Sequence, residues 1–440
     1  MFLSTLFLCI SCTSTSDKTT DSGVIAEFIP TMPISECGLP EYTFLPTTHM
    51  GEILAAEKRE DLSLSQETIT ALRSNYDLPL PEPTHGISTY YIEYTSQDKG
   101  EEKPATGMVI FPEGKDNADV IVWLHPTMGF ADACSPTATG IIGAAYPAVL
   151  ASLGYIVVAP DYFGMRGWRG TSTDIHPYVI AEPTAISSID AIRALPKVID
   201  MFNIPIEFYA QRISLWGASE GGYAALITDR YMPHYAPEFT TIATIASTPV
   251  TDVFMLAQHG VDVLGPTSGG VLAAQVSMYQ WYGKEADLNS LLHEDIALVV
   301  EDTMLQSCDD FAILDNVTEV DQVFTDTYVQ GILANDGSAD PWACYLKDNS
   351  LQTRVPRLQT APTLIITAEL DALAWPDPVH HDIPGLCTEG YAIEHIQCAG
   401  LSHVPGSIQS LGMQWDWLQN ALSGNPSTSC VVSVPQTCGE

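Results

Sequence analysis

From residue 87 onward the chain alternates short apolar runs with longer amphipathic stretches. Ser88-Thr89-Tyr90-Tyr91-Ile92-Glu93-Tyr94 and Thr106-Gly107-Met108-Val109-Ile110-Phe111-Pro112 read as two strands flanking a charged loop, which suits an antiparallel pair. Runs at 120–124, 155–159, 213–216, 240–246 and 363–367 are rich in apolar residues, as strands buried on both faces are, and 391–397 supplies a last strand. Helical patterns at 141–153, 185–201 and 408–422 alternate with them. This order predicts right-handed crossovers onto a mostly parallel sheet, an α/β fold. Between residues 252 and 355 the strand pattern disappears, while helical pieces recur at 270–282 and 323–333. A stretch of about 100 residues is too long for a plain loop and predicts an inserted helical cap. The expected organisation is therefore an export signal and polar tether over 1–23, an N-terminal arm over 24–86 with a helix near 65–76, and a first core part over 87–251. The cap follows over 252–355, and the second core part with a Cys-containing tail over 356–440.

Composition narrows the partners. The chain is 46% hydrophobic and 16% charged, with 54 acidic against 17 basic residues and a net charge of −37. Such a surface repels nucleic acid and anionic membranes, and it favours neutral substrates over anionic ones. The apolar stretch 1–11 is shorter than the roughly 18 residues that span a bilayer and reads as an export signal. Cys12, after Ser11 and before the Ser/Thr-rich run 13–23, resembles a bacterial lipoprotein processing site and is a candidate lipid anchor; the missing Lys or Arg before the apolar segment also fits an ordinary secretory signal. The expected locations are thus secreted, periplasmic or membrane-anchored. Apart from Cys9 and Cys12, the eight cysteines Cys37, Cys134, Cys308, Cys344, Cys387, Cys398, Cys430 and Cys438 suggest disulfides in an exported chain. About a hundred pairings are open to them. No clustered Cys/His spacing suggests zinc, and the Asp-rich loop 335–340 lacks the terminal Glu of a calcium loop, so no metal is expected.

The candidate chemistry centres on Gly217-Ala218-Ser219-Glu220-Gly221, which directly follows the apolar run 213–216 and directly precedes a helical pattern. A G-x-S-x-G turn between strand and helix lifts the Ser hydroxyl clear of the backbone. A serine nucleophile needs a base, and the base an orienting carboxylate. Asp371 follows the 363–367 strand and His403 the last one, giving the chain order Ser, Asp, His. Glu369 and Asp377 compete for the acid position; His380 and His381 fall between the last two strands, and His395 inside one. Oxyanion donors are expected at the Glu220 N–H and in the loop His125-Pro126-Thr127-Met128-Gly129, where Pro126 has no N–H, Thr127 is favoured and Met128 is the reserve. His125 is read as structural, at the root of that loop.

Taken in order, these segments, with Asp161-Tyr162-Phe163-Gly164, His176-Pro177-Tyr178 and Asp190-Ala191-Ile192-Arg193-Ala194, resemble the secretory lipase family of α/β-hydrolases over residues 87–422. The resemblance implies a Ser/Asp/His ester hydrolase, with a cap over an acyl pocket, no cofactor and a small-molecule or lipid ester as substrate. Three positions depart from the pattern: Pro126 replaces a Gly in the oxyanion loop, Ala368 replaces a Gly before the acid, and Glu220 places a carboxyl beside the nucleophile. Its charge either opposes an anionic substrate or is solvated. Met255, Met278, Tyr279, Trp281 and Tyr282 in the cap are candidates for an acyl channel or for core. The same triad serves an exported peptidase, and an inactive hydrolase fold would serve as a binding protein. Composition and spacing leave the oligomeric state open.

Overall fold

The computed structural model describes residues 27–170, 174–306, 308, 314, 317–352, 355–358 and 361–439. The expected export signal, tether and Cys12 lie outside the described residues. Ten strands form one sheet: β1 (Ile53–Arg59), β2 (Ile87–Asp98), β3 (Glu101–Pro112), β4 (Asn117–Leu124), β5 (Ile156–Pro160), β6 (Glu207–Ala218), β7 (Thr241–Ser247), β8 (Thr363–Ala368), β9 (Ile393–Cys398) and β10 (Pro435–Gln436). Their spatial order is β1-β2-β3-β5-β4-β6-β7-β8-β9-β10. The pairs from β1 to β5 are antiparallel, and those from β5 through β4 to β10 are parallel. This is the mostly parallel α/β sheet that the apolar runs predict.

Side-chain alternation divides the interior between two layers. Val120, Val122 and Leu124 of β4 and Ile365 of β8 point into the core under helices Ala181–Phe202 and Glu220–Tyr235. Ile121 and Trp123 of β4, and Leu364 and Ile366 of β8, point into the opposite core, with helices Ile141–Ser152 and Leu411–Leu422. Both faces of these strands are therefore covered, which is why the sequence shows continuous apolar runs there.

Two features of the N-terminal half differ from expectation. The charged stretch between the first two strands is itself strand: β2 and β3 pair over twelve positions and meet at Lys99-Gly100, whose φ values of +50° and +74° make a two-residue hairpin turn. The arm contains, besides the helix Gln66–Asn75, the edge strand β1, antiparallel to β2. No residue of β1 is fully buried, and two of its seven are exposed, so its apolar signal is weak. Asp190 and Arg193, on one helix face, form a buried ion pair (2.8 Å) that also takes up Ser96, Tyr235 and Glu238.

Between β7 and β8 the described residues form helices joined by turns, the longest helices being Val253–Asp262, Pro266–Trp281 and Asp326–Ala334. Its two ends meet where Leu351 N–H donates to Thr251 C=O (2.6 Å). Among the described residues, four disulfides use the eight cysteines from Cys37 onward: Cys37–Cys344, Cys134–Cys308, Cys387–Cys430 and Cys398–Cys438. The first two tie the helical segment to the N-terminal region and to the loop after β4; the last two fasten the C-terminal tail to the helix Asp377–Thr388 and to the end of β9.

Candidate active site

In a parallel sheet the C-terminal ends of the strands emerge along one edge, and Ser219, Asp371 and His403 follow β6, β8 and β9 there. Ser219 sits at φ 57°, ψ −119°, a conformation that an L-residue holds only when its surroundings impose it. They do so here. A Cβ on Gly217 would lie 2.0 Å from Gly221 C=O, and one on Gly221 1.9 Å from Leu124 C=O, so strand, helix and β4 approach as only glycines allow. Ser219 N–H donates to Ser247 C=O at the end of β7 (2.8 Å).

The structure brings the three sequence-predicted residues into one hydrogen-bonded chain. Asp371 Oδ2 lies 2.7 Å from His403 Nδ1, and His403 Nε2 lies 2.8 Å from Ser219 Oγ. With Nδ1–H donating to the carboxylate, Nε2 is free to accept the serine proton. Asp371 is itself buried, and its Oδ1 accepts from the N–H groups of Leu373 and Ala374, each at 2.9 Å. A hydroxyl on an imidazole that a fixed carboxylate orients is the geometry of an activated nucleophile. The competing residues lie elsewhere. Glu369 accepts from Gly400 N–H (2.7 Å) and Asp377 begins the helix Asp377–Thr388. His381 is exposed, while His395 bonds to Thr367 and is pushed down to about 3 by burial, with His380 adding to the effect.

Ala368 and Gly406 explain one another. A Cβ on Gly406, in the helix His403–Gln409, would lie 2.5 Å from Ala368 Cβ. The methyl of Ala368, three residues before Asp371, is thus accommodated by a glycine three residues after His403.

Glu220 is the first residue of the helix after Ser219, where N–H groups lack intrahelical acceptors. Its side chain answers one of the sequence-based alternatives: it is not solvated. It is buried, with Oε1 2.5 Å from His176 Nε2, and His176 Nδ1 lies 2.8 Å from Phe163 C=O. Nothing local in the sequence marks this pairing, since 44 residues separate the partners. In the loop after β4, Thr127 Oγ1 donates to Tyr178 Oη (3.2 Å), while buried His125 holds Pro126 C=O through Nδ1 (2.8 Å). Burial lowers the His125 pKa, which suits an uncharged ring bracing the loop.

Ser219 and His403 open on a cavity of about 290 Å³ whose walls include Trp123, Tyr146, Trp216, Leu373, Ile408 and Leu411. The rings of Trp123 and Tyr146 stack at 5.2 Å. On the other side of Ser219 a crevice of about 30 Å³ runs under Val253, Leu256 and Val271 of the helical segment. That segment also holds the acid loop, where Thr267 Oγ1 donates to Ala372 C=O (2.8 Å). The five cap residues singled out from the sequence line neither space. Met278, Trp281 and Tyr282 are core, and Trp281 Nε1 donates to Asp98 (2.9 Å). The cavity's aromatic walls come instead from β4, β6 and a helix outside the 252–355 segment, where an apolar run looks the same whether it packs or lines a pocket.

A mostly parallel sheet whose serine stands on a strained strand-to-helix turn, with an acid and a histidine following later strands, defines an α/β-hydrolase. The chain belongs to the secretory lipase family, whose sequence profile matches residues 136–430. It is by family an ester-cleaving hydrolase. Among solved structures it is similar to a candidate hydrolase from Legionella pneumophila subsp. pneumophila (20% identity, TM-score 0.73, 84% of this chain and 98% of that one). It is also similar to the rice cell wall degrading esterase LipA from Xanthomonas oryzae (22%, TM-score 0.68, 85% and 96%) and to Candida antarctica lipase A in its closed state (16%, TM-score 0.65, 88% and 86%). At these identities the likeness is one of fold. A comparison with curated protein sequences finds no match.

Proposed function

We propose that the protein is an exported serine hydrolase that cleaves neutral carboxylic esters through an acyl-enzyme. His403 takes the Ser219 proton as the hydroxyl attacks the ester carbonyl, and Asp371 holds the imidazole and stabilises its charged form. The backbone N–H groups of Glu220 and Thr127 receive the oxyanion, an interaction whose loss typically costs about 100- to 1,000-fold in turnover. His403 then returns the proton to the leaving alcohol, and water releases the acid by the same steps in reverse. Residues 252–355 act as a cap over this face, and the apolar cavity takes a small or lipid ester. Four disulfides and the apolar start of the chain support export, with Cys12 as a lipid anchor where the signal is of the lipoprotein type.

The observation that carries this reading is the Ser219–His403–Asp371 hydrogen-bond chain at the mouth of an apolar cavity. Its test is hydrolysis of p-nitrophenyl esters from acetate to palmitate by protein lacking residues 1–12, beside Ser219→Ala. Ester turnover that the substitution abolishes is expected. A folded protein inactive on every ester overturns the reading and directs the assay to peptide amides.

A further inference from the structure

We propose that His176 is a positioning residue for oxyanion stabilisation: it neutralises the Glu220 carboxyl one residue past the nucleophile and, through it, holds the helix turn whose N–H receives the oxyanion. The inference rests on the ester-hydrolase reading and extends it to a residue outside the Ser219–His403–Asp371 chain.

Three observations carry it. First, Glu220 is buried against His176, itself fully buried, at 2.5 Å, and among the described residues its second oxygen, Oε2, has no hydrogen-bond partner. The carboxyl therefore depends on one contact. Second, His176 Nδ1 faces the Phe163 carbonyl, which only accepts, so Nδ1 carries a hydrogen. The remaining proton is shared between Nε2 and the carboxyl, and the pair is electrically neutral wherever that proton rests. Third, among the described residues the other polar groups around the pair offer no replacement charge. His125, at the root of the oxyanion loop, has its pKa lowered by burial. Tyr162, whose ring stacks on His176 at 5.6 Å, has its pKa raised well above the ordinary value by burial. Tyr178 meets His176 edge-on at 6.3 Å and accepts from Thr127, while the Asp161 carboxyl is engaged by Thr106 and Thr137. His403 is tied to Asp371 across Ser219.

Without His176 the carboxyl is left in a low-dielectric site beside a developing negative charge. Its ionised form then opposes the oxyanion, and its search for solvent drags the helix start out of place. Misplacement of this order costs up to about 100-fold in rate.

The experiment compares kcat and KM on p-nitrophenyl butyrate for wild type, Ser219→Ala, His176→Ala, His176→Gln and the double variant His176→Ala/Glu220→Gln, over about pH 6 to 10, with a thermal melt of each. For His176→Ala we expect kcat at pH 8 about 10- to 100-fold down, KM within about twofold, and activity that declines toward alkaline pH where wild type levels off. The double variant, with no carboxyl to ionise, recovers about tenfold and regains the plateau. A His176→Ala profile of wild-type shape, or a double variant no better than the single, overturns the proposal. Should His176→Ala lack a cooperative melt, His176→Gln decides: it keeps an N–H toward Glu220 but cannot accept the proton. The alkaline decline is then expected, and a level profile overturns the proposal. Wild type inactive on the ester overturns the hydrolase reading itself, a result distinct from an active enzyme indifferent to His176.

Discussion

Asp161 sits at the end of β5, fully buried, accepting from Thr106 Oγ1 (2.7 Å) and from the backbone and hydroxyl of Thr137. Burial raises its carboxyl to about 7 despite those donors. The folded state therefore retains a proton that the unfolded chain, at an ordinary carboxyl pKa of about 3.9, releases earlier. Where the native state binds more protons, stability falls as pH rises. Compared with Asp161→Asn, wild type should accordingly lose relative stability from about pH 4 to about pH 7, the reverse of the usual carboxylate. Denaturant melts of both proteins at several pH values measure this difference, and wild-type stability that rises relative to Asp161→Asn from pH 4 to pH 7 refutes the assignment. At this scale Ser219, Asp371 and His403 were legible because each stands just past an apolar run. The environments of Glu220 and Asp161 were not, because their partners come from distant segments.

At the scale of elements, the end of β8 and the helix His403–Gln409 approach until a methyl on one requires a glycine on the other. Gly406→Ala would place two Cβ atoms 2.5 Å apart in a contact directly beside the base. Overpacking of this kind costs about 1–3 kcal/mol, and a small displacement of His403 should reduce ester turnover about tenfold or more. Ala368→Gly combined with Gly406→Ala removes the clash and should restore turnover, with alanine favoured over glycine in the helix by about 1 kcal/mol. A double variant as impaired as Gly406→Ala contradicts this account. The apolar runs marked the buried parts of the parallel strands β4 to β9, but not the half-exposed first half of β6 or the two-residue β10. They missed β1 and the full length of the β2–β3 hairpin, where exposed and charged positions dilute the pattern.

At the scale of the whole molecule, the tail after the last helix carries little core of its own and is held by Cys387–Cys430 and Cys398–Cys438, besides the two-residue strand β10. The second disulfide closes 40 residues onto the end of β9, just before the loop to His403. Replacing Cys398 and Cys438 by Ser should lower stability by about 2–4 kcal/mol. It should also open residues 423–438 to proteolysis, read as a lower melting temperature and a new cleavage within the tail. A tail equally protected without the bond excludes it as the fastening. The net charge of −37 adds a general repulsion that salt screens.

By itself the sequence determined the α/β class, the order of strands β4 to β9 along the chain, the glycine-flanked turn at Ser219 and the places of Asp371 and His403 after strands, because all of these are written in local patterns: apolar runs, glycines around a serine, and position after a strand. Only the tertiary structure decided the disulfide pairing, the aromatic walls of the cavity, the buried contact between Glu220 and His176 and the fit of Ala368 against Gly406. Each of these depends on which distant segments the fold brings within a few ångströms, and no periodicity along the chain records that distance.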